Sequence, residues 1–273
     1  MPELPEVETT RRGLMPWVND QTVCELTVRQ AQLRWPVPAA VREAVGHPVG
    51  SLQRRGKWLI WPVADGSLLW HLGMSGSFRV WPEPPPPGPH DHIDLRMGNG
   101  VTVRYTDPRR FGALLWADDD PLKHPRLAGL GPEPLSEAFT AEQLYAQSRR
   151  RKAPIKTFIM DASVVVGVGN IYASEALYRA GIHPRRAAGR VSLPRYQRLV
   201  TAIVAVLESA IEQGGTSLRD FTVGDGTPGY FGQALQVYGR DGEPCPSGEL
   251  DHGPIRRCII GQRSTFYCPV CQR

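Results

Sequence analysis

The sequence predicts an α+β protein: a β-rich N-terminal half built as a sandwich or barrel, a helical C-terminal half, and a small metal-binding tail. Three observations carry this. Between Thr22 and Trp116, short apolar segments recur between Gly, Pro and Asp turns, the pattern of an antiparallel sheet protein. Beyond Leu135 the apolar spacing lengthens to that of helices. The tail ends in Cys268-Pro-Val-Cys271, a spacing that lets two thiolates reach one ion. With 273 residues there is room for two domains, each with its own core.

Taken in order, Pro5 to about Leu14 reads as a helix, with Pro5 in the first turn and Val7 and Leu14 buried. Strands are expected at Val23–Val28, Gly50–Gln53, Trp58–Trp61, Ser67–His71, Ser77–Trp81, Ile93–Met97, Val101–Tyr105 and Ala113–Trp116. A short helix around Ala39–Val45 interrupts them. Pro82–Pro89 cannot join a ladder and reads as a surface loop. The polar stretch Asp118–Leu135 reads as a linker. Helices follow at Ala141–Ser148, Pro154–Met160, Ile171–Ala180 and Pro194 to about Gln213, and then a Gly-rich loop, Gly214–Gly232. Asn170, closing the Gly167-Val168-Gly169-Asn170 turn, is suited to cap the next helix.

Composition narrows the function classes. The chain is 41% hydrophobic and 22% charged, with no apolar run near the roughly 18 residues of a membrane helix. Glu3, Glu6 and Glu8 stand where a signal-peptide core would begin, so a cytosolic protein is expected. Cysteines gathered in the tail argue for a metal site over a disulfide framework. Net charge is +5, and residues 133–273 carry 17 basic against 13 acidic side chains. Arg149-Arg150-Arg151-Lys152, with Lys156 a turn further on, would give that half a patch for a polyanion, although such runs also occur as solvated helix faces.

The N-terminus carries the most specific chemistry. Removal of Met1 leaves a proline whose secondary amine has a pKa near about 8 and is partly unprotonated at neutral pH. Such an amine can attack an electrophilic carbon and form a cationic iminium, an electron sink. Glu3 beside it and Glu6 one turn on supply carboxylates to move protons.

In the tail, Cys245, Cys268 and Cys271 offer three thiolates, while Gly248 occupies the place of the fourth cysteine of a common site. His252 and Cys258 compete for the fourth position. If Gly261-Gln262 is the hairpin turn, residue 252 lies opposite Cys271. Cys258 then falls roughly 10 Å beyond the level of Cys268, at ~3.3 Å per residue. A Cys3His zinc site with His252 is the expectation. Arg263 would project from that metal-pinned turn, placed to grip a phosphate.

These stretches together closely resemble the bacterial formamidopyrimidine-DNA glycosylase (MutM/Fpg) family. The resemblance rests on Pro2-Glu3-Leu4-Pro5-Glu6-Val7-Glu8, Leu33-Arg34-Trp35-Pro36, His71-Leu72-Gly73-Met74-Ser75-Gly76, Tyr105–Gly112, Val166–Glu175 and Gln262–Cys268. It implies a catalytic β-sandwich over 1–118, a linker over 119–135, a helix-two-turn-helix DNA-binding domain over 136–233 and a zinc finger over 234–273. It implies a bifunctional glycosylase and lyase of base excision repair, acting on double-stranded DNA with oxidised purines (8-oxoguanine, formamidopyrimidines) or abasic sites. One structural Zn2+, a monomer without obligate protein partner, and a cytoplasmic, nucleoid-associated location follow from the same resemblance.

By motif, Pro2 would be the Schiff-base nucleophile, Glu3 the proton donor and acceptor, Lys57 an aid to β-elimination and Arg263 an aid to δ-elimination. His90, Arg109 and Arg151 would contact DNA, with an arginine at 151 where lysine is common; Asn170, read from its place at a helix start whose amides face anions, would sit on a phosphate. Met74, Arg109 and Phe111 would fill the gap left by an extruded base, although read alone Met74 and Phe111 are core candidates. Thr222–Tyr230 would cover the flipped purine. Two alternatives stand beside this: an endonuclease VIII-like enzyme for oxidised pyrimidines, and a non-catalytic zinc-finger DNA-binding protein.

Overall fold

The computed structural model describes residues 2–214, 221–223, 235–248 and 253–273. By its internal contacts the chain forms two compact units: Met1–Gly129 with Gln213–Tyr230, and Leu130–Glu212 with Phe231–Arg273.

In the first unit, α1 (Leu4–Val18) starts from Glu3 as an extended N-cap and carries Pro5 in its first turn, where a missing N–H is harmless. It buries Leu4, Val7, Leu14 and Val18. The strands are β1 (Val23–Val28), β2 (Gln53–Arg55), β3 (Trp58–Val63), β4 (Gly66–His71), β5 (Ser77–Trp81), β6 (Asp91–Met97), β7 (Thr102–Thr106) and β8 (Ala113–Asp118). One sheet runs β2-β3-β4-β8; the other runs β1-β6-β7-β5 and ends on a short strand, β9 (Phe221–Val223). All pairings are antiparallel except β9, which lies parallel to β5.

The two sheets make a β-sandwich. Trp61 and Trp70 from one meet Phe78 and Tyr105 from the other, with Trp70 5.0 Å from Phe78 and 5.3 Å from Tyr105 between ring centroids. These aromatics join Leu59, Leu68, Ile93, Leu95 and Val103 in one core, each large ring adding to the area withdrawn from water. α1 packs against β2, β3, β5 and β9, so the chain's start is fixed to both sheets.

Two expectations shift here. The strand expected at Gly50–Gln53 begins at Gln53, its pairing running Gln53↔Ile60 to Arg55↔Trp58. The stretch read wholly as loop from Gly214 contains β9. Within Thr222–Tyr230, Thr222 and Val223 belong to that strand and the remainder lies outside the described residues.

The second unit holds α2 (Ala141–Ser148), α3 (Ile155–Ile159), α4 (Asn170–Arg179) and α5 (Leu193–Glu212). Their core includes Leu144, Phe158, Tyr172, Leu177, Tyr196 and Leu207. Strands β10 (Arg256–Ile260) and β11 (Arg263–Tyr267) form a hairpin. Its register, Ile260↔Arg263 to Arg256↔Tyr267, places the turn at Gly261-Gln262 as expected. Both turn residues have positive φ, +55° and +61°, the pattern of the tight turn that matches strand twist. No helix among the described residues is long and apolar enough to cross a membrane.

Candidate active site and nucleic-acid interface

The N-terminus is held before any ligand arrives. Pro2 is buried and Glu3 is only 1% exposed. The Glu3 N–H donates to Glu6 Oε2 at 2.7 Å, and the two residues form a reciprocal capping box. Two carboxylates therefore stand at the helix end that favours negative charge, directly after Pro2.

Glu8 adds a second clamp. It accepts from Arg11 (2.7 Å), Arg12 (2.9 Å) and Arg54 (3.2 Å). Burial raises its pKa, but the hydrogen bonds of Arg11 and Arg12 and the charges of Arg11 and Arg54 prevail and hold it at about 2. Arg54 also donates to the carbonyl of Gly56 at 3.0 Å. Gly56, at φ +57°, and Lys57 form the two-residue turn between β2 and β3. One carboxylate thus couples α1 to the turn that presents half-buried Lys57.

Opposite Trp58 in the β3–β4 register stands His71. Its Nδ1 accepts the Gly73 N–H at 2.9 Å, which assigns the proton of the neutral ring to Nε2. Burial first, then the charges of Lys57 and Arg34, lower its pKa to about 4. His71 is a neutral donor beside Lys57 at pH 7. Motif and spacing assign it no site role; the available signal is its place opposite Trp58 in a legible hairpin.

Two loops carry Met74, Arg109 and Phe111. Met74 is 40% and Phe111 44% exposed, and the Arg109 guanidinium lies 4.8 Å above the Phe111 ring. Neither apolar side chain is core. Beneath them the loops are locked together. Ser75 Oγ donates to buried Asp107 at 2.6 Å and accepts the Arg109 N–H at 3.1 Å. Asp107 also accepts from the Gly112 N–H at 2.8 Å. A Cβ on Gly73 would lie 2.3 Å from the Phe111 backbone, and Gly73 has φ +66°, so only glycine fits this contact. Arg110, at φ +55°, reverses the chain between Arg109 and Phe111. Exposed His90 joins the cluster through its carbonyl, which accepts the Asp107 N–H at 3.0 Å.

In the second unit Asn170 is not the helix cap. Gly169 takes that position, and Asn170 is the first residue of α4. Its Oδ1 accepts from Lys156 Nζ at 2.6 Å, and its Nδ2 donates to the Ser264 carbonyl at 3.0 Å and to Tyr238 Oη at 3.3 Å. Lys156, 1% exposed, also donates to Thr265 Oγ1 at 2.8 Å. It is a buried anchor and not part of a surface patch. Arg149 leaves the patch too, lying 3.8 Å over the Tyr145 ring and donating to the Val191 carbonyl at 2.9 Å. Arg151 remains exposed, as does Arg263 at the start of β11. Asn170 is therefore tied to the hairpin at Ser264, one residue from Arg263.

Cys245, Cys268 and Cys271 present sulfurs within 4.8 Å of one another. Tyr178 Oη and Ser247 Oγ each lie 3.3 Å from Cys245 Sγ, and the Cys271 N–H donates to Cys268 Sγ at 3.4 Å. Burial first, then the neighbouring cysteines, push the Cys271 thiol up to about 12. Such crowding opposes ionisation unless a cation is shared, so the donor set fits a soft divalent ion. Cys258 pairs with Thr265 along the hairpin and is outside the cluster. His252 lies outside the described residues. The finger is tied to α4 by Glu175, whose carboxylate accepts the N–H groups of Gln236, Val237 and Tyr238 at 2.8, 2.9 and 2.8 Å.

Residues 1–114 match the family model of the formamidopyrimidine-DNA glycosylase N-terminal domain, and residues 130–222 that of the same family's H2TH domain. A formamidopyrimidine-DNA glycosylase of Syntrophotalea carbinolica is 57% identical over 274 residues, and one of Alkalilimnicola ehrlichii 56% over 280, each match covering both chains completely. Among solved structures, MutM (Fpg) from Thermus thermophilus aligns with a TM-score of 0.87 at 38% identity, over 99% of this chain and 98% of that one. Lactococcus lactis Fpg bound to Fapy-dG-containing DNA aligns at 0.89 with 31% identity, over 99% and 100%. The same protein bound to abasic-site DNA aligns at 0.89 with 31% identity, over 99% of each chain.

Proposed function

The chain belongs to the formamidopyrimidine-DNA glycosylase family, and from that premise we propose that it excises oxidised purines, 8-oxoguanine and formamidopyrimidines, and then cleaves the strand. The observation that carries the reading is the locked pair of loops presenting Met74, Arg109 and Phe111 to solvent. Exposed apolar side chains on rigid supports suit insertion into a base stack. There they offset an unstacking cost on the order of a few kcal/mol.

With Met1 removed, the Pro2 nitrogen attacks the sugar carbon that bears the damaged base. The glycosidic bond breaks, the base departs with its electron pair and takes a proton, and the sugar ring opens to an iminium. Glu3 delivers and accepts protons. The iminium then draws electrons as a neighbouring carbon loses a proton, and the 3′ phosphate leaves by β-elimination, with Lys57 assisting. A second, δ-elimination frees the 5′ phosphate, with Arg263 neutralising it. His90, Arg109, Arg151 and Asn170 hold the DNA. Residues 1–118 are the catalytic part, 119–135 a linker, 136–233 the helix-two-turn-helix part and 234–273 the finger. Zinc, held by Cys245, Cys268, Cys271 and His252, would supply a rigid crosslink at the base of the Arg263 hairpin.

Borohydride trapping on duplexes containing 8-oxoguanine or thymine glycol tests the substrate. Preferential trapping on 8-oxoguanine is expected. Preference for thymine glycol would move the chain to oxidised pyrimidines, and absence of trapping on either would remove the catalytic reading.

A further inference from the structure

In the segment between α4 and α5, a cavity wide open to solvent, of about 460 Å3, is lined by His183, Arg185, Arg186, Ala187 and Arg190. No acidic residue lines it. Among the described residues none of its three arginines or His183 forms an ion pair. Their side chains are lightly engaged. Arg185 donates to the Ile259 carbonyl at 3.5 Å, His183 Nδ1 accepts the Arg185 N–H at 3.2 Å, and the His183 ring meets that of Tyr267 edge-on. The positive field is dense enough to be felt locally. Burial, then Arg185 and Arg186, lower the pKa of His183; burial, then Arg186 and Arg198, lower that of Arg195. Three guanidiniums around one cavity repel each other and relax when an anion sits among them.

We propose that this cavity is a phosphate-binding site, separate from the lesion-handling residues. Guanidinium forks match phosphate oxygens in a bidentate way that lysines would not. The neutral His183 adds an N–H donor. The backbone around the cavity is bonded to the part of the second unit that is proposed above to hold DNA. The Ile155 N–H donates to the Arg186 carbonyl at 2.7 Å, and the Gly189 N–H to the Arg151 carbonyl at 3.0 Å. The Arg185 contact to Ile259 reaches the strand paired with the one that starts at Arg263. The phosphate comes either from the substrate's own backbone or from solution, and only the first source rests on the DNA-repair reading.

The zinc-loaded wild type and an Arg185→Gln/Arg190→Gln double variant separate these sources. Both side chains are exposed, so the fold tolerates the change; Arg190→Glu serves as a second variant. Affinity for lesion DNA is measured against salt over a series of duplex lengths. Thermal stability is measured in sodium phosphate and in sodium chloride of equal ionic strength. If DNA fills the site, the variant's salt slope on long duplexes is flatter by about one unit per phosphate lost, and the deficit vanishes as the duplex is shortened. If free phosphate fills it, the slopes agree but only the wild type gains stability from phosphate. Equal slopes with no phosphate-dependent stabilisation of the wild type would overturn the proposal. Failure of the wild type to excise any lesion would fail the glycosylase reading and leave the phosphate arm standing.

Discussion

Burial and the charges of Lys57 and Arg34 hold His71 down to about 4, against its ordinary 6.5. Between those values the unfolded chain binds the proton and the folded one does not, so stability falls as pH drops from about 6.5 to 4. His71→Gln should flatten that part of the profile in denaturant unfolding; an unchanged profile would show that His71 does not carry it. Glu8 works in a lower window. Its depressed pKa contributes stability that is complete above 4.5 and lost as pH falls toward about 2. Met74 and Phe111 allow a different test, since exposed side chains leave little cavity when truncated. Met74→Ala and Phe111→Ala should change stability by no more than about 0.5 kcal/mol yet impair excision much more than binding to abasic DNA. Equal losses on both DNAs would remove them from base extrusion.

At the scale of elements, the tail is tied to α4 through Glu175 and, on the proposed reading, to a metal held by its cysteines. Glu175→Ala would leave three backbone N–H groups without their acceptor. A loss of about 2 kcal/mol or more is expected in unfolding of the zinc-loaded protein, with faster hydrogen exchange at residues 236–238. For the fourth ligand, His252→Ala should lower zinc content while Cys258→Ser keeps it near that of the wild type, measured by metal analysis of each purified variant. Full zinc in the first with loss in the second would make Cys258 the ligand. The hairpin is legible because Gly261-Gln262 fixes its register, and register alone sets Cys258 apart from the three clustered cysteines. Asn170 misleads because a residue's cap role depends on the backbone of Gly169, which local spacing does not reveal. Lys156 looks like surface charge because its oxygen partners come from Asn170, Ser264 and Thr265, distant in sequence. β9 is invisible for a related reason: three residues show no alternation, and only the edge of β5 makes them a strand.

Across the whole molecule, the sandwich and helical halves are legible from strand and helix periodicity, and each has its own core. The division at Gly129 and the return of Gln213–Tyr230 to the first unit are not, because they are set by tertiary contacts. The two units divide the proposed work: the first carries the N-terminal amine, Lys57, the exposed wedge and the DNA contact of His90, the second Arg151, Asn170, Arg263 and the finger. Arg263→Ala should weaken binding to DNA of any sequence and flatten its salt dependence by about one phosphate charge; an unchanged slope would remove Arg263 from the phosphate contacts. Everything catalytic turns on the identity of the nucleophile. The most direct measurement is peptide mapping by mass spectrometry of the borohydride-trapped complex with 8-oxoguanine DNA, with a Met1-retaining form alongside. The crosslink should map to the nitrogen of Pro2 and be absent from the Met1-retaining form. A crosslink on Lys57 or any other lysine, or trapping that persists with Met1 in place, would contradict the proline mechanism.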